Sequence, residues 1–400
     1  MKTIRLFDEN SHLYIFTATV LSSEPSDDPH TLRVILDKTA FFPEGGGQYA
    51  DPGMLADCPV VDVKEIDGVI THIVDVSHFE NAAYLFTPGT EVTGVLDAST
   101  RLVRMQNHTA EHILSGIIHH HFGFSNVGFH LGNGDVTLDF DGVLTREQLD
   151  EVEDEANAII TSCLPVTAYY PASDELSAMT YRAKLDLTEN VRIVEIGTPD
   201  APIDRCACCA PHVTNTGEIG MVKLLDFMHY KGGIRIHMLA GTWALLDYRR
   251  RYAETAAMAA AMSVKQADVL EGFECKLAEI DDHRHTIAAL RGKVQTLTLT
   301  TIQPTKGSLC LFDEGLEAVE MRKLLNAIAL KCGRFCGVFV GNDQDGYRFV
   351  IGRGDDSLDL RAYAKDMNIA LSARGGGSSK MLQGSSTASR AVIEAYFAKI

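Results

Sequence analysis

The chain contains no apolar run near the roughly 20 residues that a membrane span requires, and its first residues, MKTIRLFDENSHLYIF, lack the basic-then-apolar layout of a secretory leader. It has no low-complexity tract. Its nine cysteines in 400 residues are too few for a disulfide scaffold. The number is odd, and three of them crowd together at Cys206, Cys208 and Cys209, a pattern of reduced thiols and metal that points to a cytoplasmic protein. Positive charge is also short. Lys and Arg number 36 against 54 Asp and Glu, a net charge of −18, which excludes indiscriminate binding to a phosphate backbone but leaves room for RNA on a local basic face. The acid-rich run from Glu147 to Glu155 reads as the solvated face of a helix.

What is present is ordinary for a globular chain: 46% hydrophobic and 22% charged residues, in a length suited to two to four domains. The patterning predicts a multidomain α+β protein. Residues 1–95 carry short alternating runs (LYIFTATVLSS, LRVILDKTAFF, GVITHIVDVS) between Pro, Gly and Asp turn signals, the pattern of a small β-barrel. Residues 96–247 open with helical spacing through Leu102, Met105, Ile113, Leu114, Ile117 and Ile118. They continue with strand-like runs (VTLDF, VTAYY, VRIVEI, MVKLLDF, IRIHMLAG), an α+β domain of about 150 residues. Residues 248–300 are rich in Ala, Leu, Glu, Lys and Arg, with no proline, and read as a helical hairpin or coiled-coil-like arm. Residues 301–400 alternate strands and helices, an α/β glycine-rich module.

The chemistry concentrates in two pairs. His108 and His112 stand at i and i+4 of a helical pattern, so both imidazoles lie on one face. Cys208 and His212 stand in RCACCAPHVTNTGEIG, where Pro211 bends the segment. One thiolate with three imidazoles is a tetrahedral shell that zinc prefers, so one Zn2+ per chain is expected. Cys206 and Cys209 read as a thiol behind the ligands and a buried small apolar residue, the alternative being a zinc shared among the three thiols. His108-Thr109-Ala110-Glu111-His112 also satisfies H-x-x-E-H, the inverted zinc-peptidase pattern, in which Glu111 is the general base and a distant acid, Glu189 or Glu195, the third protein ligand. That alternative leaves Cys208 and His212 without a role. Glu111 is a candidate base or a solvent-facing carboxylate. Thr109 either bonds a substrate or bonds back to helix carbonyls. Gly45, Gly46, Gly47 and Gln48 form either a loop that approaches a ligand or a tight barrel corner.

These motifs together resemble the editing domain of alanyl-tRNA synthetase and, more closely, its free-standing relatives, the AlaX-type alanyl-tRNA editing proteins. Phe41-Phe42-Pro43-Glu44-Gly45-Gly46-Gly47-Gln48 with Asp51 and Gly53 is similar to the family's glycine-rich signature. His108 to His112 matches its H-x-x-x-H, and Cys208 to His212 with Thr216-Gly217-Glu218-Ile219-Gly220 its C-x-x-x-H segment. Arg374-Gly375-Gly376-Gly377-Ser378, with Met381, Gln383 and Gly384, resembles the C-terminal module of the long form. The sequence departs from the family at Cys209-Ala210-Pro211, where Gly and Thr are usual, and at Phe129, where many relatives carry a glutamine. His130 is the candidate replacement.

The resemblance implies zinc-dependent hydrolysis in trans of mischarged tRNA(Ala), carrying serine or glycine, by an ATP-independent deacylase. Gly46, Gly47, Gln48 and His130 are the candidate substrate contacts, and a homodimer through the helical arm and C-terminal module is expected. In that module Arg334, Arg348, Arg353, Arg361, Lys365, Arg374 and Lys380 supply positive charge for tRNA, and Gly375, Gly376 and Gly377 form a loop able to close around a phosphate. A zinc peptidase, and a non-catalytic tRNA-binding or dimerising protein with structural zinc, are the competing expectations.

Overall fold

The computed structural model describes residues 2–79, 82–132, 134–183 and 191–400. The chain divides into two compact units, Met1–Ala257 and Met258–Ile400, and its class is α+β. No helix among the described residues is long and apolar enough to cross a membrane.

The first unit begins with six short strands: β1 (Ile15–Pro25), β2 (Thr31–Leu36), β3 (Gly53–Leu55), β4 (Cys58–Ile66), β5 (Val69–Asp75) and β6 (Glu91–Leu96). They close into a barrel in the order β1-β2-β5-β4-β3-β6. Closure removes the free edges that strands this short would otherwise expose. The inward-facing positions of their alternating pattern (Ala18, Val20, Val34, Leu36, Val63, Ile70, Val74) form one buried cluster with Phe41 and Phe42.

Helix α1 (Ala98–Phe122) follows. Asp97 caps its start by accepting the Ser99 and Thr100 amides, each at 3.0 Å, a device worth about 1 kcal/mol. Gly123, at φ 72°, ends it in the left-handed conformation that glycine adopts without strain. From Met105 to Ile118 every residue of α1 is buried. A helix covered on all sides lies inside a domain rather than on it. Ile113, Leu114, Ile117 and Ile118 each contribute about 1.5–3 kcal/mol by burial.

Two sheets surround α1. One has four strands, β7 (Asn126–Leu131), β8 (Val136–Phe140), β12 (Val222–Tyr230) and β13 (Gly233–Ala240), in the order β12-β13-β8-β7; the other comprises β9 (Val166–Tyr169), β10 (Ile193–Thr198) and β11 (Ala201–Ala207) in sequence. The acidic run lies on α2 (Arg146–Thr161), whose apolar face packs into the same core. Helix α3 (Gly241–Met262) closes the unit, and the boundary between the two units falls within it.

The second unit contains α4 (Val269–Thr301), β14 (Leu309–Asp313), α5 (Ala318–Ala329), β15 (Phe335–Asn342), β16 (Gly346–Arg353), α6 (Leu360–Ala370), β17 (Ala373–Gly377), β18 (Met381–Ser386) and α7 (Arg390–Lys399). Its five-stranded sheet runs β14-β15-β16-β18-β17. The expected phosphate loop at Gly375, Gly376 and Gly377 is corrected here. These residues form β17, paired antiparallel with β18 in the register Gly375↔Gly384, Gly376↔Gln383, Gly377↔Leu382. The bareness of Gly375 and Gly377 serves close strand approach, since a Cβ on them would meet the Gln383 and Met381 carbonyl oxygens at 2.7 and 2.1 Å, while Gly376 faces open space.

Candidate metal centre

Four side chains from two distant stretches meet inside the first unit. His108 and His112, one turn apart on α1, face Cys208 and His212, which follow β11. One ligand atom from each lies within 4.8 Å of all the others. The Cys208 Sγ is 3.6 Å from His108 Nε2 and 3.4 Å from His212 Nε2.

The opposite edge of each imidazole is held. Nδ1 of His108 lies 3.0 Å from Gln48 Oε1, Nδ1 of His112 lies 3.1 Å from Asp204 Oδ2, and Nδ1 of His212 lies 3.0 Å from Thr109 Oγ1. An amide oxygen and a carboxylate are acceptors only, so His108 and His112 carry their proton on Nδ1. Thr109 takes the same role for His212, and each Nε2 then presents a lone pair to the common centre. Ligand histidines of metal sites are fixed in this way. Asp204 is in turn gripped by Arg182, Nε to Oδ1 at 2.7 Å and Nη2 to Oδ2 at 2.8 Å. Burial pushes the Asp204 carboxyl up, but its bonds to His112 and Arg182 outweigh this and hold it below its ordinary value.

Burial sets the charge state of Cys208 and His212 in the absence of a cation. Burial, reinforced by His112 and His108, drives His212 well below the ordinary histidine value, so it is a neutral imidazole. Burial, with Cys209 beside it, pushes the Cys208 thiol far above its usual range. A thiolate at that position needs a positive ion next to it. One soft sulfur and three neutral nitrogens at tetrahedral count suit zinc.

Local sequence explains how these parts come together. Gly116, one turn beyond His112, carries no side chain because a Cβ there would meet the Ile203 carbonyl at 2.6 Å and Asp204 at 3.0 Å. Its bareness lets β11 lie against α1. The two carbonyls at Cys208 and Ala210 accept from Arg192 Nη1 at 3.1 and 2.8 Å, which shapes the loop through Pro211. Glu218 of the Thr216-Gly217-Glu218 segment accepts the Thr214 and Asn215 amides, fixing the chain just after His212.

Glu111 is buried rather than solvent-facing. Its Oε1 accepts from Ser115 Oγ at 2.9 Å and from Asn126 Nδ2, and its Oε2 lies 3.6 Å from His112 Nε2. Thr109 bonds His212 and the Val213 amide, not helix carbonyls. Gly47, at φ +83°, sits so close to β7 that a Cβ would meet the Phe129 carbonyl at 2.4 Å, and its own carbonyl accepts the Leu131 amide at 2.8 Å. The glycine loop therefore packs against the site, with a Cβ on Gly46 4.0 Å from Cys209 Sγ. Gln48 is buried, and its Nε2 has no hydrogen-bond partner among the described residues.

Phe129 and His130 point to opposite faces of β7, as neighbours on a strand must. The Phe129 ring is 4.7 Å from that of His108, whereas His130 is exposed and packs on Tyr49 at 5.8 Å. His130 is thus placed away from the ligands, and Phe129 forms a wall of the site. Cys206 is buried, grouped with His112 and Asp204, while Cys209 is exposed rather than a core residue. Glu195 is paired with Arg205 at 2.6 Å and is not among the four converging donors. Glu189 lies outside the described residues. In the second unit Arg353 and Arg361 are paired with Asp356 and Asp359. Arg374 and Lys380 are exposed, with no acidic partner within ion-pair distance among the described residues.

Asp204, Arg182, Arg192 and Asn126 escaped sequence reasoning. A signal existed for the first: Asp204 and Cys206 alternate along β11 and share a face, in phase with Cys208 just past its end.

In the first unit a barrel leads into a helix whose histidines meet a Cys-x-x-x-His loop. The family model of the threonyl and alanyl tRNA synthetase second additional domain matches residues 191–237, which include Arg192, Asp204, Cys208 and His212. That of the class II (A) tRNA synthetases matches residues 10–100, which include Gln48 and Asp51. The alanine--tRNA ligase of Ignicoccus hospitalis is 30% identical over 311 residues, covering 73% of this chain and 32% of the relative. That of Pyrobaculum neutrophilum is 27% identical over 399 residues, covering 96% and 42%, and that of Methanococcus vannielii 34% identical over 258 residues, covering 62% and 27%. The chain spans less than half the length of each of these curated relatives. It is an alanyl-tRNA synthetase-related protein.

Proposed function

We propose that the protein is an editing enzyme that hydrolyses in trans the aminoacyl ester of mischarged tRNA(Ala), with Ser-tRNA(Ala) and Gly-tRNA(Ala) as substrates. His108, His112, Cys208 and His212 would hold one zinc ion. The observation that carries this reading is the convergence of three imidazole Nε2 atoms and one Sγ beside a buried carboxylate, in a chain related to alanine--tRNA ligases.

Zinc bound there supplies a Lewis acid for the ester or its attacking water. An aminoacyl ester is already activated, so the protein has mainly to position water and stabilise developing negative charge. Glu111, its Oε1 fixed by Ser115 and Asn126, turns Oε2 toward the ligand face, where it can take a proton from water. Gln48 holds His108 through Oε1 and offers its unpartnered Nε2–H to a substrate oxygen. Phe129 and the Gly46–Gly47 turn wall the pocket against bulk water and large side chains. Arg374 and Lys380 are the proposed tRNA contacts of the second unit, and the helical arm with the C-terminal module joins two copies in a cytoplasmic homodimer.

The test is deacylation of Ser-, Gly- and Ala-charged tRNA(Ala) by the full chain and by His112→Ala. The expected outcome is hydrolysis of the Ser and Gly esters by the wild type, sparing of the Ala ester, and loss of activity in the variant. No hydrolysis of any ester overturns the proposal.

A further inference from the structure

The second unit holds a pair of thiols that the metal centre does not use. Cys332 and Cys336 are both buried, and both belong to one apolar cluster with Leu324, Leu325, Ile328 and Val350. They stand four residues apart, at the two ends of the turn that enters β15. The backbone of that turn is pinned at four points. The Lys331 carbonyl accepts the Thr305 amide at 2.9 Å, and the Gly333 amide donates to the Gly307 carbonyl at 3.2 Å. The Arg334 carbonyl accepts the Gly354 amide at 2.7 Å, and the Phe335 amide donates to Ser308 Oγ at 3.2 Å. A turn fixed this way holds both cysteine side chains inside the same cluster.

Strand β16 leaves room for the pair. Cys336 lies opposite Gly352, where a Cβ would crowd its Sγ at 3.3 Å. Gly354, just past the strand, is bare because a Cβ there would strike the Cys332 carbonyl. The two thiols interact side chain to side chain, and their roles are unequal. A hydrogen bond from Cys336 holds the Cys332 thiol below its ordinary value against burial, and backbone hydrogen bonds at Arg334, Gly354 and Leu309 reinforce it. The same hydrogen bond, with burial, pushes the Cys336 thiol up. Cys332 also keeps 6% of its surface exposed, whereas Cys336 keeps none. The sulfur that ionises is therefore the outer one, and a thiolate is the form that attacks. A protonated thiol beside it is placed to resolve the product.

We propose that Cys332 and Cys336 are a peroxide-oxidised pair that closes reversibly to a disulfide, with Cys332 attacking and Cys336 resolving. The Cys332 thiolate attacks one oxygen of hydrogen peroxide. The O–O bond breaks, and the other oxygen leaves as hydroxide, which takes the proton that Cys332 released and becomes water. The Cys336 sulfur then attacks the sulfenic acid on Cys332. The S–O bond breaks, and the hydroxyl leaves with the Cys336 proton as a second water. The two sulfurs lose two electrons and the peroxide gains them. A dithiol reverses the change by exchange. The proposal rests neither on the metal centre nor on the editing reading.

Arg334 lies between the two cysteines, so trypsin cuts the chain into pieces, 332–334 and 335–348, that stay joined only through the disulfide. The test is peptide mapping of the full chain after hydrogen peroxide treatment, acid quenching and alkylation without reductant. In the wild type the two pieces should appear as one linked species that has lost both thiol hydrogens, and dithiothreitol should separate it. In Cys336→Ser, dimedone should trap a sulfenic acid on Cys332. In Cys332→Ser, Cys336 should remain a free thiol. The wild-type result stands whether or not either variant folds. Separate, alkylated pieces from the wild type, at a peroxide dose that oxidises the exposed Cys163, overturn the proposal. Linkage of Cys332 or Cys336 to any other cysteine overturns it too, and oxidation of Cys336 in Cys332→Ser at the wild-type rate overturns the assigned order of attack.

Discussion

Two buried polar clusters lie along α1, and they end differently. Near its start, Arg101 is fully buried and donates to Asp51, to the Ala40 carbonyl at 2.6 Å and to the Ser11 carbonyl at 2.9 Å. Asp51 also accepts the Phe42 amide at 2.8 Å, and Arg104 reaches the Ala50 carbonyl at 2.6 Å. These donors are spent inside the cluster, fastening the barrel to the helix, while Asp51 Oδ1, 3.6 Å from Arg104 Nη1, accepts no hydrogen bond among the described residues. Two turns later, Gln48, Thr109 and Asp204 take the outer nitrogens of three histidines and leave their inner nitrogens turned on one point with a thiol. The first cluster pairs its buried cations with a carboxylate and carbonyls of its own, while a site for a ligand is held only on its outer side.

The contrast can be broken at either end. The largest effect is expected inside the site: His108→Ala should lower Ser-tRNA(Ala) deacylation at least about a thousandfold, measured as single-turnover rates, with the circular-dichroism spectrum unchanged. Next comes the clamp. Asp51→Ala leaves a buried guanidinium without its carboxylate and should cost about 3–5 kcal/mol in urea unfolding, yet the fraction that remains folded should still bind metal. If Asp51→Ala stripped the metal, the two clusters would not be separable.

A third test uses the barrel. Burial holds His72 down to about 4, against 6.5 for the free side chain, although its Nδ1–H donates to the Val34 carbonyl. The unfolded chain therefore takes up a proton below pH 6.5 that the folded chain refuses until about pH 4. Stability is complete above pH 6.5 and falls by about 3 kcal/mol as pH drops through that window. Urea midpoints measured across it should lose that slope in His72→Gln. The smallest effect is expected behind the ligands. Asp204→Asn should weaken metal affinity about 10- to 100-fold without abolishing it, as read by competition with a chelator.

The four converging donors stood out in the sequence because the spacing within each pair is local. His108 and His112 share a helical face by periodicity alone, and Cys208 and His212 stand out by residue type. The α+β class was legible in strand runs such as VTLDF and IRIHMLAG, which became β8 and β13. Long-range partners left no such trace. Thr109 and His212 are 103 residues apart, and His112 and Asp204 are 92 apart; only the packing of β11 against Gly116 brings the second pair together. The glycine tail misled for a related reason. Consecutive glycines permit both a phosphate loop and a closely paired strand, and the partner β18, not the glycines, decides between them. His130 was misplaced for want of strand phase, since a one-residue step exchanges its face with that of Phe129.

The most direct test of the account is the zinc-to-protein ratio of the purified full chain and of Cys208→Ser after exhaustive dialysis. The account predicts one zinc per wild-type chain and essentially none in the folded variant. A full complement of zinc in Cys208→Ser would contradict the four-donor site and return the metal to His108 and His112 with some other ligand.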